Sequence, residues 1–282
     1  MPEEISAAFL SACRAELDAL KPGNVHRYAA GHGMEVVHFE KAAAAAAPPI
    51  ADSSLSVGQR ILRATQASVA ATGLNVNLGI VLLCAPLAKA AAETTIAVGF
   101  RRRLGVVLSE LDERDAEDAF AAIRLANPAG LGEVEAGDVH SCPGQLTLIA
   151  AMHLAAERDR IANAYVTAYA DVFDFALPVL RDARLASAAA PTLAVTTLHM
   201  ALLAEFPDTH IIRKFGVETA GAVRREALAL RQHWTPVATA KSNSELADFD
   251  TILKRQGLNP GTTADFVVAT LFAEGLIRWK HS

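Results

Sequence analysis

Nowhere in this chain do apolar and polar residues alternate convincingly over more than four positions, whereas apolar residues recur at helical spacing almost from end to end. Without period-two segments there are no half-buried strands to assemble, so the pattern confines the fold to packed helices. Composition leans the same way. Of 282 residues, 52% are hydrophobic but only 6% aromatic, and alanine runs are frequent. Alanine and leucine head the helix scale, while aromatic and β-branched residues favour strands. A chain of this length can bury a large core in one or two domains. No period of 20–50 residues and no linker is visible, so the expectation is one all-α domain over 1–282.

The breakers set the boundaries. An amphipathic helix over about 4–20 stops before Pro22-Gly23, and a loop follows to about Val36. The next helix, near 37–47, is expected to end at Pro48-Pro49. Another, over 54–72, closes at Gly73, a residue suited to a left-handed cap. Asn75 or Asn77 can cap the helix from Leu78, which is apolar all round and therefore central; Pro86 should kink or break it. Helices are further expected near 92–110 and 114–126. After the irregular segment Asn127 to Gly144 they resume near 145–156, 159–185 and 190–204. One follows "FPDT" to about 233, and one covers 243–256, closed by Gly257. The last starts at "NPGTTADF", where Thr262 or Thr263 can cap and Asp265 complements the positive first turn.

Charge and cysteines narrow the partners. The net charge is −5 and Arg101-Arg102-Arg103 is the single dense basic cluster, which argues against nucleic-acid binding. A small anion held by a few local cations remains compatible. Cys13, Cys84 and Cys142 lack CxxC spacing, so neither a disulfide framework nor a zinc site is expected, and the implied compartment is the reducing cytoplasm. Acids occupy the N-terminal stretch where a secretory signal carries basic residues. The run "NLGIVLLCAPLAKAA" is too short to span a bilayer, so no membrane role is expected. Ala-rich helix faces are compatible with a homodimer, although no residue argues for one.

If helices form the scaffold, chemistry belongs to the loops that interrupt them. In "KPGNVHR", Gly23 frees backbone N–H groups while Lys21, His26 and Arg27 add donors suited to phosphate; the plainer reading is a helix terminator with solvated basic residues. "GLNVNLG" ends one helix and opens another, a place for an anion or simply for asparagine caps. "GLGEVEAGDV" clusters Glu133, Glu135 and Asp138, hard oxygens suited to Mg²⁺ or merely a solvated acidic loop. In "PDTHIIRKFG" and "NPGTTADF", Asp208 and Asp265 can each cap a helix or face a ligand. No Walker A, GxGxxG, HExxH or GxSxG pattern occurs.

Taken in order, an acidic helix end at Glu16, then "KPGNV", "NVNLG", "GEVEAG", "PDT" and "NPGTTAD", the chain resembles the triphosphoribosyl-dephospho-coenzyme-A synthase family over nearly its whole length. The resemblance implies an all-helical fold. It also implies transfer of the 5-triphosphoribosyl unit of ATP to 3′-dephospho-coenzyme A, with adenine released and Mg²⁺ holding the phosphates. It points to Lys21, Gly23, Asn24, His26 and Arg27 for phosphate or ribose, and to Asn75 and Asn77 for the nucleotide pocket. Thr263 and Asp265 would form the last wall. Glu16, Glu133 and Asp208 are the carboxylates for catalysis, with Glu133 and Asp208 for metal. The chain departs from the family at Val76-Asn77-Leu78-Gly79, where a Thr-His-Lys-Gly run is usual, and at His32-Gly33-Met34-Glu35, where an acid is replaced by glycine. Those departures keep two other readings in play: a pentosyl- or nucleotide-processing enzyme with another acceptor, and a non-catalytic helical nucleotide-binding protein.

Overall fold

Fourteen α-helices and no strand are found among residues 1–93, 99–127, 146–187, 190–239 and 241–281, which the computed structural model describes. In chain order they are α1 (Pro2–Asp18), α2 (Val36–Ala51), α3 (Val57–Thr72), α4 (Leu78–Glu93), α5 (Phe100–Ser109), α6 (Glu113–Ala126) and α7 (Leu148–Ala155). Then follow α8 (Arg160–Val166), α9 (Leu177–Ala186), α10 (Pro191–Glu205), α11 (Thr209–Phe215), α12 (Val217–Ala229), α13 (Asn243–Arg255) and α14 (Gly261–His281). The all-α expectation holds. The helices gather into two compact units, one of Met1–Ala12, His38–Ala170 and Leu271–Ser282, the other of Cys13–Val37 and Asp171–Thr270.

In the first unit α4 is buried on nearly every side, as its unbroken apolar sequence requires. Pro86 does not break it. Proline cannot donate to the carbonyl four residues back, and that carbonyl, Leu82 O, instead accepts the Tyr165 hydroxyl at 2.7 Å. Tyr169 makes a second such bond, to Leu83 O at 2.8 Å. The expected helix over 159–185 is interrupted: Ala168 and Tyr169 take left-handed φ values of 47° and 59°, and a π-helical turn (Asp171–Ala176) precedes α9. No glycine announces that break, although Pro178 stands in the first turn of α9 that follows it; Tyr169, wholly buried and hydroxyl-bonded, anchors it.

Nor does Pro48-Pro49 end α2, which continues to Ala51. Both prolines fall in its last turn, where their fixed φ is already helical and the cost is confined to the two bonds to the Ala44 and Ala45 carbonyls that they cannot donate. The fully buried Arg60 guanidinium donates to the nearby carbonyls of Ile50 and, at 3.3 Å, Leu55. α3 begins with a capping box at Ser56 and Gln59 and closes on Gly73 at φ 68°, as expected. It packs so tightly on α6 that a Cβ on Gly58 would lie 2.5 Å from Asp115 Cα.

The second unit has its own core, in which Met200, Leu203, Ile211, Val223, Trp234, Leu246, Phe249 and Leu253 interlock. Here the helix expected from "FPDT" to about 233 is divided: Gly216, at φ 87°, ends α11 and starts α12, and a 3-10 turn (Arg231–His233) follows. α13 and its closing Gly257, at φ 71°, stand where the sequence placed them. The loop between α1 and α2 holds only two isolated bridges, His26–Ala29 and Gly31–Met34.

Candidate active site

Within the second unit, the Lys-Pro-Gly turn after α1 folds over α13 and the start of α14. Gly23 is required there: it sits at φ 83°, and a Cβ on it would come within 2.7 Å of Pro260 Cδ and 2.9 Å of Leu253 Cδ1. Lys21 is not a solvated cation. It is fully buried and its ammonium donates to Glu16 Oε1, to Asn24 Oδ1 at 2.9 Å and to Val25 O at 2.7 Å, which uses its three protons. Burial pushes the Glu16 carboxyl up and the Lys21 ammonium down, and each partner's charge pulls the other back. Asp265 adds a smaller field that favours the Lys21 cation.

The "PDT" and "NPGTTAD" segments form the adjoining wall. Asp208 caps α11 by accepting Ile211 N–H at 3.0 Å on one oxygen, while the other accepts Thr263 N–H at 2.7 Å and the Thr263 hydroxyl at 2.8 Å. Burial raises its pKa and those three donors work against the rise. The Thr209 hydroxyl donates to Thr262 Oγ1 at 3.1 Å, and Asn24 Nδ2 donates to Asn259 Oδ1 at 2.8 Å. Three segments far apart in sequence are thereby stitched into one polar cluster.

Side chains that the sequence reading passed over complete it. Asp250 Oδ1 accepts Gly23 N–H at 2.8 Å; Asp250 Oδ2 lies 2.9 Å from Lys254 Nζ and 3.3 Å from His26 Nε2. One imidazole nitrogen cannot donate to a carboxylate and accept from an ammonium together, so we assign Nε2–H to Asp250. The buried His26 Nδ1, which has no partner, is then a bare lone pair, less costly than an orphaned N–H. Burial lowers the His26 pKa although Asp250 opposes it. His32 Nε2 bonds Gly23 O at 2.8 Å and His199 Nε2 bonds Pro22 O at 3.2 Å. Burial first, and Lys21 second, hold His199 down at about 3, a neutral imidazole that bonds the turn's backbone. His210, whose ring is 3.3 Å from where a Gly261 Cβ would stand, is likewise held down at about 4 by burial and by Lys214 and Arg213.

Of the residues singled out from sequence, Glu16, Lys21, Gly23, Asn24, His26, Asp208, Thr263 and Asp265 all fall in this unit. Arg27 stands at the cluster's exposed edge, its side chain 47% accessible and paired with Asp18. Asn75 and Asn77 belong to the first unit; Asn75 Oδ1 accepts Leu78 N–H at a long 3.4 Å, and Asn77 Nδ2 donates to Ser68 Oγ at 3.0 Å. Glu133 lies outside the described residues. Asp250 and Lys254 had only an ordinary i,i+4 charge pair as their signal; Asn259 stood in a quoted motif without being given a role. Among the described residues no three His, Cys, Asp or Glu side chains gather as metal ligands, and both Asp208 oxygens are already committed to helix starts. Cys13 and Cys84 are buried and not joined in a disulfide, and none of the described helices is long and apolar enough to cross a membrane.

None of the curated proteins compared is similar to this chain at a significant level. Among solved structures, a crystal structure from Archaeoglobus fulgidus, provisionally named as a triphosphoribosyl-dephospho-CoA synthase, superposes with a TM-score of 0.63 at 24% identity, over 82% of this chain and 95% of that one. At that identity the likeness speaks to the fold. The family model for ATP:dephospho-CoA triphosphoribosyl transferases matches residues 2–282. The chain therefore belongs to that family, whose members are transferases using ATP and dephospho-CoA.

Proposed function

We propose that the polar cluster of the second unit is where this chain carries out the family's reaction, with the turn at Lys21–Arg27 and the first turns of α11 and α14 receiving the ribose and triphosphate of ATP. The observation that carries the reading is convergence. "KPGNV", "PDT" and "NPGTTAD", chosen from sequence as separate loops, are joined by the Asn24–Asn259, Asp208–Thr263 and Thr209–Thr262 bonds. Active-site groups held by one another need no reorganisation when charge develops on the substrate.

The chemistry is substitution at the anomeric carbon. The acceptor hydroxyl forms the new C–O bond, the bond to adenine breaks, and the hydroxyl proton passes to a base, through an oxocarbenium-like transition state as in glycoside hydrolysis. Glu16 and Asp208 are the carboxylates of this unit that we assign to this chemistry, Asp208 by fixing the two helix starts. His26, Asn24 and Thr263 border the turn and shape the ribose side. Arg27, at the accessible edge, meets phosphate, while Asn75 and Asn77, which belong to the first unit, are given no part in this cluster. Mg²⁺ enters as part of the ATP complex, carried by the triphosphate itself. Cys13 and Cys84, outside any disulfide, agree with a reducing cytoplasmic setting.

The test is incubation of the purified protein with ATP, Mg²⁺ and 3′-dephospho-coenzyme A, followed by adenine chromatography and mass spectrometry. Free adenine with an adduct heavier by a triphosphoribosyl unit is the expected result. Adenine without the adduct removes the acceptor, and no adenine with any acceptor removes the reading.

A further inference from the structure

One face of α13 touches the turn at three successive points. Asp250 Oδ1 takes Gly23 N–H at 2.8 Å, Asp250 Oδ2 faces the His26 imidazole at 3.3 Å, and Lys254 Nζ donates to Ala29 O at 3.2 Å. The two side chains are bonded to each other at 2.9 Å, and the Lys254 stem runs along Gly31, where a Cβ would stand 3.1 Å from Cε. Asp250 is 4% exposed, and the groups facing it are Gly23 N–H, His26 and Lys254.

This arrangement does more than neutralise a buried charge. The Gly23 N–H points at Asp250 because a positive φ turns that peptide towards α13, and Pro260 and Leu253 leave room for nothing larger. Two cationic or imidazole groups share the opposite oxygen. The carboxylate therefore sets both the height of the turn above α13 and the orientation of the imidazole that borders the ribose side. Residues Lys21 and Asn24, whose polar atoms hold one another and Asn259, move with it.

We propose that Asp250 and Lys254 act as a positioning clamp for the Lys21–Ala29 turn, with Asp250 the residue on which the affinity for ATP depends. The inference rests on the reading that this turn receives ATP. It predicts that loss of the clamp weakens substrate engagement and leaves the intrinsic chemistry much less affected, because neither side chain is placed at the reacting carbon.

The experiment compares wild type with Asp250→Ala, Asp250→Asn and Lys254→Met, each checked for helical content and melting temperature, with adenine release measured over a range of ATP. Wild-type turnover is measured first: if it is absent, the functional reading fails before the clamp is examined. Given turnover, Asp250→Ala is expected to raise KM for ATP at least 10-fold with kcat changed less than 3-fold. Asp250→Asn keeps an acceptor for Gly23 N–H and should recover most of that affinity, while Lys254→Met should raise KM by a few-fold. An unchanged KM in folded Asp250→Ala overturns the proposal. So does a kcat loss equal to or larger than the KM effect, and so does an Asp250→Asn variant no better than alanine. If Asp250→Ala does not fold, the test passes to Lys254→Met: an unchanged KM there overturns the clamp.

Discussion

The Glu16–Lys21 pair offers the sharpest test of the site's electrostatics, because its two single variants should depend on pH in opposite directions. Both side chains are buried, at 4% and 0% exposure. Removing one partner of such a pair costs about 3–5 kcal/mol, since the other charge is left without its counter-ion. In Glu16→Gln, Lys21 can escape that cost by giving up its proton. At pH 7 this takes about 1.36 × 3.4, or about 4.6 kcal/mol, from a free-lysine pKa near 10.4, which caps the damage. The sign follows from linkage. Folded Lys21 then titrates below its unfolded value, the unfolded chain binds more protons, and stability rises with pH until about 10.4. Between pH 7 and 9 the variant should regain stability relative to wild type, by at most about 2.7 kcal/mol, the full slope of one proton over two pH units, and the melting temperature should rise by several degrees. Lys21→Met reverses the argument. The buried Glu16 carboxyl takes up a proton, its folded pKa lies above the unfolded one, and the lost stability returns as pH falls towards 5. In wild type the pair carries one proton however it is shared, so it adds no slope over this range. Melting curves by circular dichroism at pH 5, 7 and 9 decide the matter. A Glu16→Gln deficit that is the same at pH 7 and 9, or two variants sloping the same way, would refute the reasoning.

Two further outcomes test the scaffold. Tyr165→Phe strips the donor from Leu82 O and should cost about 1–3 kcal/mol, but much less in a Pro86→Ala background, where the restored N–H takes over that carbonyl; equal costs in both backgrounds would show that the hydroxyl does not compensate for the proline. Gly23→Ala combines a positive φ with a 2.7 Å collision and should cost about 2–5 kcal/mol, whereas Gly33→Ala, at φ 74° with open space around it, should cost only about 1–2 kcal/mol, both read from denaturant or thermal unfolding.

How much of this could be read from the chain alone follows from where each signal resides. Capping at Ser56, the Gly73 and Gly257 stops and the Pro22-Gly23 turn are local, and a local signal survives in sequence. Pro86 misled because the group that rescues its orphaned carbonyl is Tyr165, on another helix; a proline read without its tertiary partner always looks like a break. The interruption at Ala168–Tyr169 had no glycine to mark it. The candidate site shows the same division more sharply. Its motifs were legible as separate loops, and so was their membership of one family. The state of their charges was not. Lys21 looks in sequence like a basic residue on an exposed turn, yet it is entirely enclosed by Glu16, Asn24 and the backbone, and so it holds the turn together. Asp250 and Lys254 look like an exposed i,i+4 pair on an amphipathic helix, a pattern found on countless surfaces. Only the approach of Gly23 to α13 turns them into a clamp, and that approach is shaped by Leu253 of α13 itself and by Pro260 just before α14, contacts that periodicity does not reveal. What binds substrate in this fold is therefore to be sought less in the cations the sequence displays than in the backbone donors and helix starts that those buried charges keep in place.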